Sequence, residues 1–460
     1  MKKPILFIAA SMLFLVSCQG EQKRVQPPVP GGDEPGGYKK EDVLGKVMPA
    51  WEEGFLDIHF INTTSGEAAF IIMPDGTQFL VDAAGSQVAT GAVNSTTNTQ
   101  IRQRWDPTKT NTLYGEYISD YIRKCMVWTG NDKIDYVLLT HLHNDHFGGA
   151  SGLPKSKLGG NYTQQSLPYI MDEFPIGLLM DRGYPDYMYP FDNQKLASNK
   201  DNIVNYVNAV KWHVANKGLK AEQFKVGSAS QIKLVKNPSK YPTCKVRNLA
   251  CNGEIWTGAN ENTIKTFPDT AAITYANPAS IASADNCPPE NITSACFLLS
   301  YGKFDYFGGA DLQFNGASTY KWKDTETAVA KVAGVVDVMK ADHHGVDNTN
   351  GTNDTKGFVA MKYLCPRVWI VNSWTDGHPR PDVLKSVADY ASCAGMDMYV
   401  TNLSSGTQSA ASSYMNRVKG KDGHVVVRVT NKGSNYYIFV LNDSDRSMKV
   451  HTFVGPYVSK

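Results

Sequence analysis

The sequence predicts an α+β fold in which short strands end at a polar site. Three observations carry that expectation. Residues 55–85 are a series of short apolar runs broken by small turns, Pro74-Asp75-Gly76 among them. Tyr136-Val137-Leu138-Leu139 is an apolar, β-rich run that stops abruptly in three histidines and an aspartate within six positions. Two later runs end in the same manner, one at Asp311 and one at His343-His344. At 460 residues and 42% hydrophobic content, the chain can bury one large core or two modest ones.

The first 17 residues place Lys2 and Lys3 before an apolar run from position 4 to 16. That fits a secretion signal and is too short to span a membrane. The ending Leu15-Val16-Ser17-Cys18 resembles a bacterial lipobox. The resemblance implies cleavage before Cys18, a lipid on its thiol, and an exported chain anchored facing the periplasm or on the cell surface. The leader removes two of the 46 basic side chains, which leaves as many as the 44 acidic ones. Such a balance predicts neither a strongly basic nucleic-acid groove nor a polyanionic tail, and no protein partner is predicted. Residues 18–50, centred on Pro27-Pro28-Val29-Pro30-Gly31-Gly32, have too little apolar surface to fold alone and read as a flexible linker. Residues 51–460 form the functional unit.

Its first strand covers residues 55–62, and His59 within it reads as an ordinary core or surface histidine. Runs at 68–73 and 78–85 follow, and Asp82 stands where the second gives way to small residues, as a cap or turn residue does. In the histidine stretch, alternate residues His141 and His143 can point one way, while Asp145 and His146 address a second point in space. Two metal ions are within reach of one loop. Imidazole and carboxylate together suit zinc, with manganese or iron as substitutes. Gly148 and Gly149 permit a tight turn.

Residues 153–291 are rich in Tyr, Asn, Lys and Pro. A helix is predicted over 201–217, with Val204, Val207, Val210 and Trp212 on its apolar side. His213 inside it is the section's one histidine and reads as structural. Tyr184, Tyr187 and Tyr189 can stack bases or sugars, or simply pack. A hairpin turning at Tyr301-Gly302-Lys303 runs into Gly308-Gly309-Ala310-Asp311, where small neighbours let the aspartate approach a metal closely. A strand over 335–340 ends at His343 and His344; one completes a metal site and the other contacts substrate or donates a proton. A strand at 366–373 leads to His378, which reaches the site or caps the helix over 381–394. A strand at 398–402 and a terminal hairpin, 423–429 with 436–440, complete the pattern.

Seven cysteines remain beside Cys18: Cys125, Cys244, Cys251, Cys287, Cys296, Cys365 and Cys393. Export permits disulfides, Cys244 and Cys251 are nearest in sequence, and an odd number leaves at least one free. No Cys-x-x-Cys pair indicates a zinc finger, no Gly-x-Ser-x-Gly a serine nucleophile, and no fixed-period repeat occurs.

The spacing of His141, His143, Asp145 and His146 resembles the signature loop of the metallo-β-lactamase superfamily. Asn291 and Ser294 as N-x-x-S, Lys340, His343, His344 and Gly345 as K-x-x-H-H-G, and the turn Gly377-His378-Pro379 are similar to the hydrolase domain of ComEC-type competence proteins and their stand-alone relatives. The resemblance covers residues 54–440. It implies a metallo-β-lactamase αβ/βα sandwich of two mixed β-sheets with helices outside, here with a long insertion at about 154–285. It implies that Asp82 supports the ligand loop without binding metal. Metal one would take His141 and His143, metal two Asp145, His146 and His344 or His343, and Asp311 would bridge them. Asp145, His343 and His378 are the expected catalytic groups. The implied function is a hydrolase carrying two Zn2+, cleaving an extracytoplasmic phosphodiester or nucleic acid with a metal-bridging hydroxide. The alternatives are a lactone, ester or amide hydrolase, or a non-catalytic surface lipoprotein that binds glycans or a partner. Lactamases and lactonases of the superfamily place a third histidine where this chain has only His213. The turn at residues 62–67 departs from the aspartate and Gly-Gln-Gly-Asp of the branch, Val346 replaces a serine, and Gly-Gly-Ala-Asp replaces Thr-Gly-Asp.

Overall fold

The computed structural model describes residues 37–63, 65–85, 93–94, 99–100, 113–269, 287–313, 321–346, 360–389 and 395–460. Two nine-stranded sheets stack face to face. The first runs in the order Val450–Val458, Asn435–Leu441, His424–Thr430, Leu56–Phe60, Ala69–Ile72, Gln78–Val81, Ile134–Leu138, Ile176–Asp181, Lys220–Gln223. The second runs Thr263–Lys265, Glu254–Trp256, Cys244–Cys251, Cys296–Tyr301, Phe304–Gly308, Val338–Lys340, Val368–Val371, Asp397–Val400, Val418–Lys421. Each sheet is antiparallel in one half and parallel in the other. The change falls between Gln78–Val81 and Ile134–Leu138 in the first, and between Phe304–Gly308 and Val338–Lys340 in the second. Those four strands carry the candidate site at their C-terminal ends, where ligands gather in sheets that change direction.

The alternation of the first strand shows why the sheets stack. Leu56, Ile58 and Phe60 join Phe79, Leu138, Phe297, Leu299, Val338 and Ile370 in the core between the sheets. Each such side chain contributes about 1.5–3 kcal/mol on burial. Asp57 and His59 face the other way, toward the helix Tyr114–Thr129, where His59 Nδ1 lies 2.9 Å from Tyr121 Oη. That helix, with Ser166–Glu173 and Lys200–Lys217, covers the first sheet. Thr325–Ala333, Ala360–Leu364 and Pro381–Asp389 cover the second. The sandwich expected from the resemblance is therefore the fold observed. The meander, both hairpins and the 201–217 helix stand where the periodicities put them; the last strand, Val450–Val458, was not anticipated.

Three expectations change. The stretch 154–285, set apart as an insertion, builds edge strands of both sheets in its described part. Residues 37–50, read as the end of the linker, pack on the body: Val43 and Met48 are buried, and Arg428 donates to Tyr38 Oη and to the carbonyls of Pro49 and Ala50. A few apolar side chains and one buried guanidinium outweigh the polar composition; residues 18–36 and the leader lie outside the described residues. Cys244 and Cys251 cannot pair, because they occupy the two ends of one eight-residue strand, Cys244–Cys251. At about 3.3 Å per residue that separates them by roughly 23 Å, far beyond the ~6 Å a disulfide spans. Cys125, Cys244, Cys251 and Cys296 are buried free thiols, and Cys287 and Cys365 are buried as well; Cys393 lies outside the described residues.

Candidate metal centre

The histidine loop is built from its anchor outward. Asp82 leaves the strand Gln78–Val81 and takes both the backbone N–H and the hydroxyl of Thr140, each at 2.8 Å. Its Oδ2 also lies 2.8 Å from His146 Nδ1. One carboxylate thus ties the loop's start to its end. A partner at Nδ1 places the proton there and presents Nε2 as the coordinating atom. Between these anchors His143 precedes the short helix Asn144–Phe147, which ends at Gly148 with φ 92°. A Cβ on Gly148 would stand 2.7 Å from Ser166 Oγ, so only glycine fits the turn.

The second sheet supplies the facing groups. Asp311 Oδ2 lies 3.2 Å from His146 Nε2, 3.3 Å from His344 Nε2 and 3.7 Å from His141 Nε2. Its Oδ1 is 3.4 Å from Lys340 Nζ, which donates to Ala310 O at 2.6 Å. His344 Nε2 is 3.2 Å from Asp145 Oδ2, and His143 Nδ1 is 3.1 Å from His141 Nε2. Asp145, His146, Asp311 and His344 offer ligand atoms within 4.8 Å of one another. The structure therefore brings together all six residues expected to hold metal, and it is His344, not His343, that faces the cluster.

Glu67 completes the arrangement and was not anticipated. Its Oε1 lies 2.8 Å from His344 Nδ1 and 2.8 Å from Lys340 Nζ. Glu67 sets a carboxylate behind His344 as Asp82 does behind His146, but as an ion pair whose angle makes no hydrogen bond. Gly66 makes the approach possible, since a Cβ there would meet Asp145 O at 2.6 Å. The available signal was a carboxylate after a glycine, as in the Gly-Asp of the related turn.

The electrostatics are those of a cluster that balances its own charge. Burial opposes the ionised form of Asp311, but His344, His146 and Lys340 hold its pKa well below the carboxylate range. Burial likewise opposes protonation of His146 and His344, yet Asp311, with Asp82 at one and Glu67 at the other, raises both well above the usual imidazole value. His141 is pushed far down by burial and by neighbouring His146. His146 Nε2 and Asp311 Oδ2 are buried, face each other and make no hydrogen bond. Opposed donor atoms of this kind, with their histidines oriented from behind, fit a divalent cation. The backbone is held hard to achieve this: Asp82, Ala310, His343 and His344 have φ of 55°, 52°, 45° and 55°. Left-handed non-glycine residues cost on the order of 1–3 kcal/mol each and collect at functional sites.

His343 stands beside the cluster. Its Nε2 lies 3.1 Å from Asn291 Nδ2 and its Nδ1 2.8 Å from Gln313 Nε2. Burial lowers its pKa to about 4, so the ring is neutral. A neutral imidazole has one donor and one acceptor, and one amide must therefore present oxygen. Asn291 Oδ1, buried without a partner, is that atom once the amide is turned over. His378 stacks on His344 at 5.2 Å, and Trp374 stands edge-on to both rings at 4.5 Å. Burial and then the charge on His344 push His378 down to about 3. His213 Nε2 is engaged by Tyr162 Oη and Asp172 Oδ1, each at 3.0 Å, away from the site. Tyr187 is buried with its hydroxyl on Asp181, so it packs and cannot stack a ligand.

The segment around the N-x-x-S pair fastens the two halves. Asn291 meets His343, Ser294 Oγ accepts from Asp311 N at 3.3 Å, and Ala295 N donates to Thr140 O at 2.9 Å. No curated protein matches the chain in a sequence comparison. Over residues 129–165, the strand and histidine loop that open this site, the chain matches the family model described as the metallo-beta-lactamase superfamily.

Proposed function

We propose that the protein is an exported hydrolase that holds two divalent cations, zinc first and manganese or iron as substitutes, and cleaves phosphodiesters. The observation that carries this reading is the convergence of three histidine nitrogens on Asp311 Oδ2, at 3.2, 3.3 and 3.7 Å, with His146 and His344 oriented from behind by Asp82 and Glu67. His141 and His143 would hold one cation, Asp145, His146 and His344 the other, and Asp311 would be shared. When bound, the two cations supply an acidified water and offset negative charge developing on substrate oxygens.

The chain's own residues set the frame for that chemistry. Lys340 and Glu67 keep Asp311 and His344 in register, and no covalent nucleophile is required. Asp145 is the half-exposed member of the cluster. His378 and Trp374 pack against the His344 ring. His343, with both ring nitrogens engaged by Asn291 and Gln313, is not assigned proton transfer. The phosphodiester assignment rests on the first cation position. Among the described residues, only His141 and His143 serve it as imidazoles, because His213 is committed elsewhere. Open positions there suit phosphate oxygens better than a lactam or lactone. Lipidation at Cys18 would keep the enzyme at a membrane outside the cytoplasm.

The test is metal content with turnover of bis-p-nitrophenyl phosphate and single-stranded DNA by the purified chain lacking residues 1–18, beside Asp311→Ala. Two metals per chain and cleavage abolished in Asp311→Ala are expected. Two metals with turnover of esters or lactones alone would replace the substrate class, and a chain that binds no metal would leave a binding lipoprotein.

A further inference from the structure

Leu142 stands between the first two histidines, and both of its backbone polar groups are gripped by side chains from distant segments. Its N–H donates to Glu290 Oε1 at 2.6 Å, and its carbonyl accepts from Asn199 Nδ2 at 2.7 Å. Asn199 Nδ2 is also 3.1 Å from Asn144 Oδ1, which accepts from Asn202 Nδ2 at 2.8 Å. Glu290 is fixed in turn. Arg182 Nε donates to its Oε1 at 2.6 Å and Arg182 Nη2 to its Oε2. Arg182 is fully buried, and its remaining donors reach Tyr189 O at 2.9 Å and Asn193 Oδ1 at 3.0 Å.

A buried ion pair is weak as a source of stability, because desolvation offsets most of the attraction. Its strength is geometric: a bidentate guanidinium holds a carboxylate in one orientation. Here that orientation is spent on a single peptide. Rotating either peptide flanking Leu142 would swing His141 or His143, whose facing nitrogens are 3.1 Å apart, out of register with Asp311.

We propose that Arg182, Glu290 and Asn199 form a clamp on the two peptides flanking Leu142 that sets the spacing of His141 and His143, and with it the affinity of the first cation position. They are positioning residues, and the inference rests on the metal reading above. The clamp also gives the stretch 154–285 a part in the site, since Arg182 and Asn199 both come from it.

The experiment titrates the full chain with Zn2+ against a competing chelator, resolving two binding steps, for wild type, Asn199→Ala, Glu290→Gln and Glu290→Ala. Melting of each metal-free protein is recorded alongside. Asn199→Ala and Glu290→Ala are expected to weaken one step by about 10–100-fold, the usual cost of losing an outer partner of a ligand. The other step, at Asp145, His146, Asp311 and His344, stays unchanged. Glu290→Gln, which keeps an acceptor for Leu142 N–H, falls between. Asn199 is half-exposed, so its variant decides the matter even where Glu290→Ala does not fold. Wild-type affinity for both steps in Asn199→Ala and Glu290→Gln overturns the clamp. Equal weakening of both steps with lowered metal-free melting overturns it too, since that is general destabilisation. A wild type that binds no Zn2+ overturns the metal reading itself and the clamp with it.

Discussion

Glu67 and Asp82 each take the back of one histidine, and the two differ in how they could be found. Asp82 ends a clear strand, whereas Glu67 follows a short irregular turn and meets His344 only because the sheets stack. Replacing Glu67 with Gln keeps the shape but removes the charge that orients His344 and pairs with Lys340. Metal affinity is expected to fall about 10–100-fold, read by competition with a chelator; an unchanged affinity would make Glu67 a structural residue only. The ligands themselves were legible because all six follow the apolar runs of three strands. His343 and His344 were not separable in sequence, since which neighbour turns inward depends on two consecutive left-handed residues. A different titration belongs to His59. Burial lowers its pKa, with Asp57 opposing, so it is neutral in the fold. Unfolded, it titrates near 6.5. The stability it contributes is therefore fully present above that pH and is lost as pH falls toward its depressed folded value. In metal-free protein, unfolding midpoints should decline below about pH 6.5, and His59→Gln should make that decline shallower; an identical slope would assign it to other groups.

At the scale of elements, the strands were readable from alternation and the partners were not. Leu56–Phe60 pairs with His424–Thr430 and sets Asp57 opposite Arg428. The two make a bidentate pair at 2.8 and 2.6 Å with both side chains fully buried. Nothing local announces a contact between residues 371 positions apart. The same arginine reaches Tyr38, Pro49 and Ala50, which is why residues 37–50, read as the end of a spacer, lie folded against the sheet. Arg428→Met should cost about 3–5 kcal/mol in urea unfolding, because Asp57 is left charged and buried. Adding Asp57→Leu should recover most of the loss, and a double variant no better than the single would show that Arg428 acts through Tyr38 and the 37–50 segment instead.

The whole molecule places half of the site on each sheet. Asp82, His141, His143, Asp145 and His146 leave the first, Asp311 and His344 the second, each where its sheet changes from antiparallel to parallel. That junction could not be read from sequence, because it depends on how strands far apart in the chain come to lie side by side. A cation shared by His146, Asp311 and His344 would therefore be a cross-link between the two sheets as well as a reagent. It would bind the folded chain and not the unfolded one, so stabilisation should grow with free metal, by about 2.7 kcal/mol at a hundredfold excess over Kd. Removing metal with a chelator should lower the melting temperature, and restoring Zn2+ should recover it. His344→Ala separates the cross-link from simple binding. His141 and His143 still offer a site on the first sheet, but the second sheet loses one of its two ligands, so most of the metal-dependent gain should vanish. If His344→Ala keeps the full gain, the cations hold the loop of the first sheet alone and the two halves are joined by packing.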